Sequence, residues 1–336
     1  MLQELMQKVS QLNDDEKRDF ITWLNTLIDK GAQEPSTLTV MELRKDNISR
    51  QGMLCPHCHS SEIVGYGNYR GRKRYLCKKC KRTFNELSGT AIDKVHLKDK
   101  WAKYIDCMLQ KLSLRETAKR VGICLYTSFY WRHRILSSLN DVGCSHMEGI
   151  IEADETFFLY SEKGNKKLAR APRKRGSKAS KDGMNDQHVN VIAATDRKGH
   201  RAINVGNRGV ITKMAIEKAI GKWINTSGSI LCSDAHRTFQ GYAKQHQMTH
   251  KMLYARKKQH VMEGIYHIQN VNSMHSQLKK FIDPFNGVAT KYLQNYVNYF
   301  RAFNGIKEWK TAMGSVLLDN NVYYGTYKNN QYYSKT

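Results

Sequence analysis

GIIEADETFFLY, residues 149–160, is the stretch of sequence that decides the fold. It is rich in Ile, Phe and Thr and predicts a β-strand; QHVNVIAATD (187–196) predicts a second strand that ends in a turn. The chain then favours a third strand, a helix, a short buried strand and two late helices, over Ala202–Val205, Ile211–Ile224, Ser229–Cys232, Ile268–Phe281 and Tyr292–Phe303. This order predicts an α/β domain over residues 148–312, with a mixed sheet flanked by helices.

The charge of the chain points to a polyanionic partner. Lys and Arg number 55 against 30 Asp and Glu among 336 residues, which gives a net charge of +25 and a pI near 9.7. Nucleic acid is the commonest polyanion that such an excess serves, although a ribosomal or merely soluble basic protein has the same composition. No apolar run approaches the roughly 20 residues of a membrane span, and the amphipathic start is not a secretory signal. We therefore expect a cytoplasmic, nucleoid-associated protein with no membrane partner.

The two ends of the chain are predicted to lie outside the main domains. Residues 1–50 favour a helical segment and a polar linker, in which Asn13 caps a second helix with Glu16 at the capping-box position. Residues 313–336 form a polar tail rich in tyrosine.

Four of the eight cysteines predict a zinc ribbon over residues 51–90. Cys55 and Cys58 form one CxxC pair and Cys77 and Cys80 a second, and two such turns complete the tetrahedral sulfur site that Zn²⁺ prefers. The alternatives are a redox CxxC motif or coincidence, and His57 or His59 is a competing ligand. The zinc is expected to be structural, because some thirty residues cannot hold a core alone. Between the pairs lie four cations predicted to contact DNA: Arg70, Arg72, Lys73 and Arg74.

Residues 91–147 predict a helix-turn-helix. Arg115–Val121 would form the first helix, Gly122 the turn and Tyr126–Ile135 the second helix, with an ordinary helical hairpin as the alternative. The second helix offers side chains suited to base edges and phosphates: Tyr126, Thr127, Ser128, Arg132 and Arg134.

A basic segment, residues 161–181, follows the first strand of the α/β domain. It holds nine Lys and Arg against one acid, with Gly and Ser scattered through it. A charge run is usually a solvated face, but this one would lie beside a candidate active site, so an arm that grips phosphates is favoured, through Arg173, Lys174 and Arg175.

Two carboxylates and an amide predict a divalent-metal site. Asp154 lies in the middle of an apolar strand, where a carboxylate without a role is costly, and Asp234 follows another apolar strand. Asn272 and Lys279 are seven residues apart near the start of a late helix, so they share a face. Two carboxylates and one further oxygen donor predict a site for two Mg²⁺ (or Mn²⁺) ions, which serve phosphodiester chemistry.

The blocks IEADETFF, SDAHRTF and HIQNVNSMHSQLKK resemble the three catalytic blocks of the ISXO-type insertion-sequence transposases, with 79 residues between the two aspartates and 37 between Asp234 and Asn272. The resemblance covers about residues 50–310. It implies an RNase H-like catalytic domain preceded by a zinc ribbon and a helical DNA-binding region. It also implies that Asp154, Asp234 and Asn272 are the catalytic triad of the DDE superfamily's Asp-Asp-Asn branch, followed by Lys279 as a contact to DNA phosphate.

The resemblance implies a transposase that binds the terminal repeats of an insertion sequence, cleaves DNA and transfers the strand, as a homodimer or larger assembly on double-stranded DNA. Asn272 replaces the glutamate of most such enzymes, which leaves open a catalytically inactive DNA-binding regulator; an RNase H-like RNA nuclease is a third possibility. Glu263 is the reserve third acid, and His267 either lines the site or is structural. Glu152 and Glu155 are both expected on the face of the strand opposite to Asp154.

Overall fold

A computed structural model describes residues 52–168, 183–254 and 260–304, together with the short stretches 13, 16–17, 42, 44–45, 48–49, 171–172, 176, 179–180 and 306. The predicted N-terminal helices and the tail lie almost entirely outside these residues. Where the capping box is described, Asn13 and Glu16 do exchange the two predicted hydrogen bonds. No helix in the described part is both long enough and apolar enough to cross a lipid bilayer.

The regular elements follow the predicted order. The strands are β1 (Ile63–Tyr69), β2 (Arg72–Cys77), β3 (Thr83–Asn85), β4 (Ile150–Leu159), β5 (His188–Asp196), β6 (Arg201–Arg208), β7 (Ile230–Asp234), β8 (Thr249–Leu253), β9 (Val261–Met262) and β10 (Tyr266–His267). The helices are α1 (Trp101–Leu109), α2 (Leu114–Val121), α3 (Leu125–Ser137), α4 (Lys213–Ile220), α5 (Arg237–Gln245), α6 (Gln269–Ile282) and α7 (Leu293–Phe303).

The central sheet has five strands in the order β6-β5-β4-β7-β8. β4, β5 and β6 form an antiparallel meander, whereas β7 pairs parallel to β4 and β8 parallel to β7. β4 and β5 pair without interruption from Ile151↔Asp196 to Leu159↔His188. This mixed sheet flanked by helices fits the RNase H-like domain that the resemblance implies.

Each face of the sheet carries its own core, because alternate residues of a strand point to opposite faces. On β5, Ile192 and Ala194 pack with Ile151 and Ala153 of β4 and with α4 and α5. Val189, Val191 and Ala193 on the other face join α6, α7 and the helical region 98–140 in a larger cluster. The helices that carry the candidate site therefore cover one face only.

The helical region predicted as a separate unit shares the larger core with the α/β domain. Helix α3 packs against α7, where the Asn295 amide contacts His133 Nδ1 at 3.1 Å and the Asn298 amide donates to the Leu136 carbonyl at 3.3 Å. Arg301 of α7 donates to the carbonyls of Leu139, Asn140 and Val142 just after α3. Within the described residues, the helices before residue 147 thus have no core of their own.

The ribbon is a three-stranded antiparallel sheet with a small centre formed by Cys55, Cys77 and Phe84. Its β1–β2 hairpin turns on Arg70 and Gly71, both with positive φ (49° and 74°), as a tight two-residue hairpin turn requires.

Several elements of the structure were not predicted, among them α5 and β8. The helix was detectable, since Phe239, Tyr242 and Ala243 recur at helical spacing and form its buried face. The strand is five residues long and half-buried, so it carries little pattern. The predicted helix Ile211–Ile224 is shorter in the structure, since α4 starts at the Thr212 cap and the α-helix ends at Ile220.

Candidate active site

The two predicted acids lie side by side on neighbouring strands. β4 and β7 are parallel, with Glu152 opposite Cys232 as the last pair of their register. Two residues further along each strand stand Asp154 and Asp234, on the same face of the sheet because strand side chains alternate. The Asp234 carboxylate also accepts the His236 amide at 3.1 Å, which holds the chain as it turns towards α5.

The electrostatics of the pair are compatible with a bound cation. Burial and the negative charge of Asp234 raise the pKa of Asp154 to about 7, while the charge of Lys279 opposes the shift. Burial and the same two aspartates raise the pKa of Glu155, on the other face, to about 8. A carboxylate whose ionised form is disfavoured, with a second carboxylate beside it, is a donor that a bound divalent cation would stabilise.

Helix α6 brings the third predicted block against this pair. His275 of α6 is buried, with its Nδ1 3.7 Å from Asp154 Oδ2, and burial lowers the pKa of His275 to about 4. Asn272 lies one turn before His275 and Lys279 one turn after it, both exposed. The charge of Lys279 acts on both Asp154 and His275. Three of the four predicted catalytic residues are thus coupled electrostatically, and Asn272 occupies the same helix face.

Glu152 corrects an expectation. It was expected on the face opposite to Asp154, but it is two residues away and therefore on the same face. It is fully buried, and its carboxylate accepts hydrogen bonds from the start of α6 and from Arg197. His267 joins this cluster, with its Nδ1 3.3 Å from the Glu152 carboxylate. Glu155 does alternate to the other face.

The reserve third acid, Glu263, is already paired. Its carboxylate accepts from Lys251 Nζ at 2.6 Å, and its side chain is largely exposed between β9 and β10. Nothing in this arrangement directs it at Asp154.

The four predicted cysteine ligands converge. Their sulfur atoms all lie within 4.8 Å of one another, and the Cys55–Cys80 and Cys58–Cys77 pairs are each 3.6 Å apart. A tetrahedral zinc with bonds of about 2.3 Å would place its sulfurs roughly 3.8 Å apart, so these residues fit the metal. Both turns are built alike, because the His59 amide donates to the Cys55 carbonyl and the Lys81 amide to the Cys77 carbonyl, each at 2.9 Å. Both histidines, His57 and His59, are outside this cluster of ligand atoms.

Three of the residues predicted to contact DNA are buried, so that prediction is corrected for Ser128, Arg132 and Arg134. Arg132 donates to the Leu112 carbonyl at 3.1 Å, and its guanidinium lies over aromatic rings that include Tyr299 of α7. Arg134 donates to the Asp93 carbonyl and to the Tyr130 hydroxyl. Cations with these partners are part of the core and are not available to a phosphate. Tyr126 is 77% exposed and Thr127 half-buried at the start of α3, where both remain candidates.

The ribbon cations, in contrast, are on the surface. Arg70, Arg72 and Lys73 are exposed and Arg74 is half-buried. The Arg74 guanidinium lies over the exposed rings of Tyr66 and Tyr69, 5.4 and 5.9 Å from their centroids. The two tyrosines were missed by the sequence analysis, although their alternation with cations was a visible signal. Arg173, Lys174 and Arg175 lie outside the described residues.

A cavity of about 850 Å³ opens beside the candidate active site. It extends from the end of β4, at Phe157 and Tyr160, to Lys279 on α6. Lys279, whose charge acts on Asp154, therefore borders this open space.

Comparison with known proteins identifies the domain that holds this site. Residues 146–302 match the family described as ISXO2-like transposase domain. A Halobacterium salinarum protein, described as an uncharacterized protein in transposable element ISH50, is 26% identical over 278 residues, 80% of this chain and 91% of its own length. A structure of a pre-cleavage Mos1 transpososome shares 9% identity, covers 69% of this chain and 83% of its own, and has a TM-score of 0.22, too low to support a conclusion about the fold. Residues 146–302, which carry Asp154, Asp234 and helix α6, thus match the ISXO2-like transposase domain, and most of the chain is similar to a protein of a transposable element.

Proposed function

We propose that the protein binds the ends of an insertion sequence, cleaves DNA there and transfers the freed strand to a target by metal-dependent phosphodiester chemistry. The observation that carries the proposal is the register of β4 and β7, which sets Asp154 beside Asp234 under the helix that bears Asn272 and Lys279. The family supports a DNA-cleaving transposase in general terms. The triad, the metals and the order of events are the proposed part.

Asp154 and Asp234 would hold two divalent cations, Mg²⁺ or Mn²⁺, through carboxylate oxygens, and Asn272 would add an amide oxygen. Bound there, such ions activate water or a 3′-hydroxyl and stabilise the leaving oxygen. Lys279 would contact a DNA phosphate, since its charge reaches Asp154 and it also borders the cavity. None of these roles requires a covalent protein–DNA bond. Because two ends must be held together, we expect a dimer or larger assembly on DNA.

DNA affinity would come from the ribbon and from the exposed part of the helical region. The ribbon offers Arg70, Arg72 and Lys73 beside two exposed tyrosines, a mixture suited to phosphates and bases. Helices α2 and α3, joined by the turn Gly122–Cys124, would act as a helix-turn-helix through the N-terminal end of α3. Its C-terminal half is committed to the core.

The test is end-DNA binding and strand cleavage by purified protein with Mg²⁺ or Mn²⁺. Asp154→Ala and Asp234→Ala are expected to abolish cleavage and retain binding, because each removes a charged ligand. Asp141→Ala is the matched control, since Asp141 is exposed and pairs with Lys222 on the surface. If the parent protein binds its ends but never cleaves with either metal, the inactive regulator is the correct function.

A further inference from the structure

Next to Asp154 on the same strand, the carboxylate of Glu152 accepts several hydrogen bonds. Glu152 is fully buried, two residues before Asp154 on the same strand face. Its two oxygens accept from the Asn270 amide N–H at 2.9 Å, the Val271 N–H at 3.1 Å and the Asn270 side-chain amide at 2.7 Å. Arg197 donates to it as well, from the turn between β5 and β6.

The two backbone donors, the N–H groups of Asn270 and Val271, belong to the first turn of α6, and no N-cap side chain of that helix accepts from them. The first N–H groups of a helix have no partner within the helix, and a polar side chain at the N-cap usually accepts from them. The N-cap of α6 is Ile268, which makes no side-chain cap hydrogen bond. Glu152 therefore caps the helix from a different element, with the negative charge that a helix N-terminus favours.

We propose that Glu152 is a positioning residue: by capping α6 from strand β4 it sets Asn272, His275 and Lys279 at a fixed distance from Asp154. The proposal rests on the proposed function, because it assigns a purpose to the placement of that site. Glu152 and Asp154 share one rigid strand, and Asn270 and Asn272 share one helix. A single carboxylate thus joins the two elements that must supply ligands to the same metals.

Arg197 stabilises the same contact between β4 and α6 from the turn between β5 and β6. Besides Glu152 it donates to the Ile265 carbonyl at 2.7 Å, and its Nη1 lies 3.4 Å from His267 Nδ1, so the β9–β10 segment that leads into α6 is held too. Arg197 compensates the buried charge of Glu152, which would otherwise be costly. The side chain of Arg197 is 28% exposed, so its replacement disturbs the core less than replacement of Glu152.

The experiment compares Glu152→Gln with the parent in the full-length protein. The glutamine keeps the shape of the side chain but loses the charge and one acceptor. Glu148→Gln is the matched control, because Glu148 precedes β4 and pairs with Lys198, the neighbour of Arg197, on the surface. Hydrogen–deuterium exchange is followed in a peptide that covers residues 266–278, with Mn²⁺ titrations of binding and of end cleavage alongside.

For Glu152→Gln we expect faster exchange confined to the start of α6, end-DNA affinity within about twofold of the parent, and a loss of roughly tenfold in kcat and in Mn²⁺ affinity, as for other residues that orient metal ligands. A purely structural role would lower the Tm and the active fraction without moving the half-saturating Mn²⁺ concentration. Parent-like exchange and parent-like Mn²⁺ affinity in Glu152→Gln would overturn the proposal.

Arg197→Gln keeps the test decisive if Glu152→Gln does not fold. Arg197→Gln is expected to give the same exchange pattern in α6 with a smaller loss of Mn²⁺ affinity. Parent-like exchange and parent-like Mn²⁺ affinity in this variant would count against the proposed positioning of α6. The exchange measurement needs no activity. If the parent itself does not cleave DNA, the proposed function fails while the capping role of Glu152 is still measured.

Discussion

Asn272 is the residue on which the proposed chemistry depends most. An amide oxygen is a weaker ligand for Mg²⁺ than a carboxylate and cannot accept a proton, yet Asn272 stands one turn from His275, which lies 3.7 Å from Asp154. Asn272→Ala should therefore reduce cleavage by roughly 100-fold or more, since it removes the third oxygen donor. Cleavage of labelled end DNA at saturating Mn²⁺ measures this effect.

The neighbour Ser273, exposed on the same turn, provides the control Ser273→Ala. Asn272→Asp adds a charge and is expected to tighten Mn²⁺ binding, although the ions then meet a site shaped for an amide. Parent-like cleavage by Asn272→Ala would remove Asn272 from the triad. Glu263 would be a poor replacement, because it is paired with Lys251.

The residue scale also shows what the sequence could and could not predict. Asp154 and Asp234 could be singled out as candidates from the sequence because a carboxylate in an apolar strand is costly unless it has a partner or a ligand. The position of Glu152 was predictable too, since residues two apart on a strand share a face; the wrong expectation ignored that alternation. The burial of Arg132 was not predictable, because its aromatic partners Tyr104 and Tyr299 lie in other elements, one of them far along the chain.

At the scale of elements, the ribbon is the part whose folding depends most on metal. Its centre contains little beyond the cysteines and Phe84, so removal of one ligand should release the zinc and unfold the strands β1–β3. For Cys77→Ser we expect loss of the bound zinc, weaker end binding and an intact α/β domain. Metal analysis of protein purified without chelator, with circular dichroism, measures both.

Cys107→Ser is the control for that substitution, because Cys107 is a buried cysteine of α1 outside the sulfur cluster. It should keep its zinc. Parent protein that contains no zinc would disprove the ribbon as a metal site.

Elements with a strong local pattern were predicted well and those without one were not. β4 and β5 are long strands rich in β-branched and other apolar residues. Helix α2 is capped at its start by Ser113, whose hydroxyl accepts the Glu116 amide, and at its end by Gly122 with φ 70°. The position of helix α3 was predicted correctly, but its exposed face was not, because polar and apolar residues are mixed around the whole circumference of the helix. Its buried face is decided by α7, which lies some 160 residues further along the chain.

At the scale of the whole molecule, the contact between α3 and α7 should make stability depend on pH. His133 is enclosed by the rings of Phe129 and Tyr292, at 4.5 and 4.1 Å between centroids. Burial and the charges of Arg132 and Lys291 lower the pKa of His133 from 6.5 to about 3. The unfolded chain therefore takes up this proton first as the pH falls, so His133 contributes stability above pH 6.5 that is lost progressively towards pH 3.

Between pH 6.5 and pH 5, this histidine alone should lower the free energy of unfolding by about 2 kcal/mol. His133→Gln removes the titration, so its Tm should fall less over that interval than the Tm of the parent, whatever its value at neutral pH. His96→Gln, at an exposed histidine, should keep the parental pH dependence. An equal decrease of Tm with pH in the parent and in His133→Gln would show that His133 does not make the stability of this interface depend on pH.

The same interface has a consequence for how the protein is made. Arg301 donates to the Val142 carbonyl across 159 residues, and the Tyr299 hydroxyl donates to the Met108 carbonyl across 191. A ribosome therefore releases α1, α2 and α3 long before the helix that completes their core. During that interval Trp131, Ile135 and Leu136 have no partner in α7, and exposed apolar surface of this kind attracts chaperones or other nascent chains. Messages cut short before α7 should thus yield aggregation-prone fragments, and the helical region 98–140 should not accumulate from them as a free module.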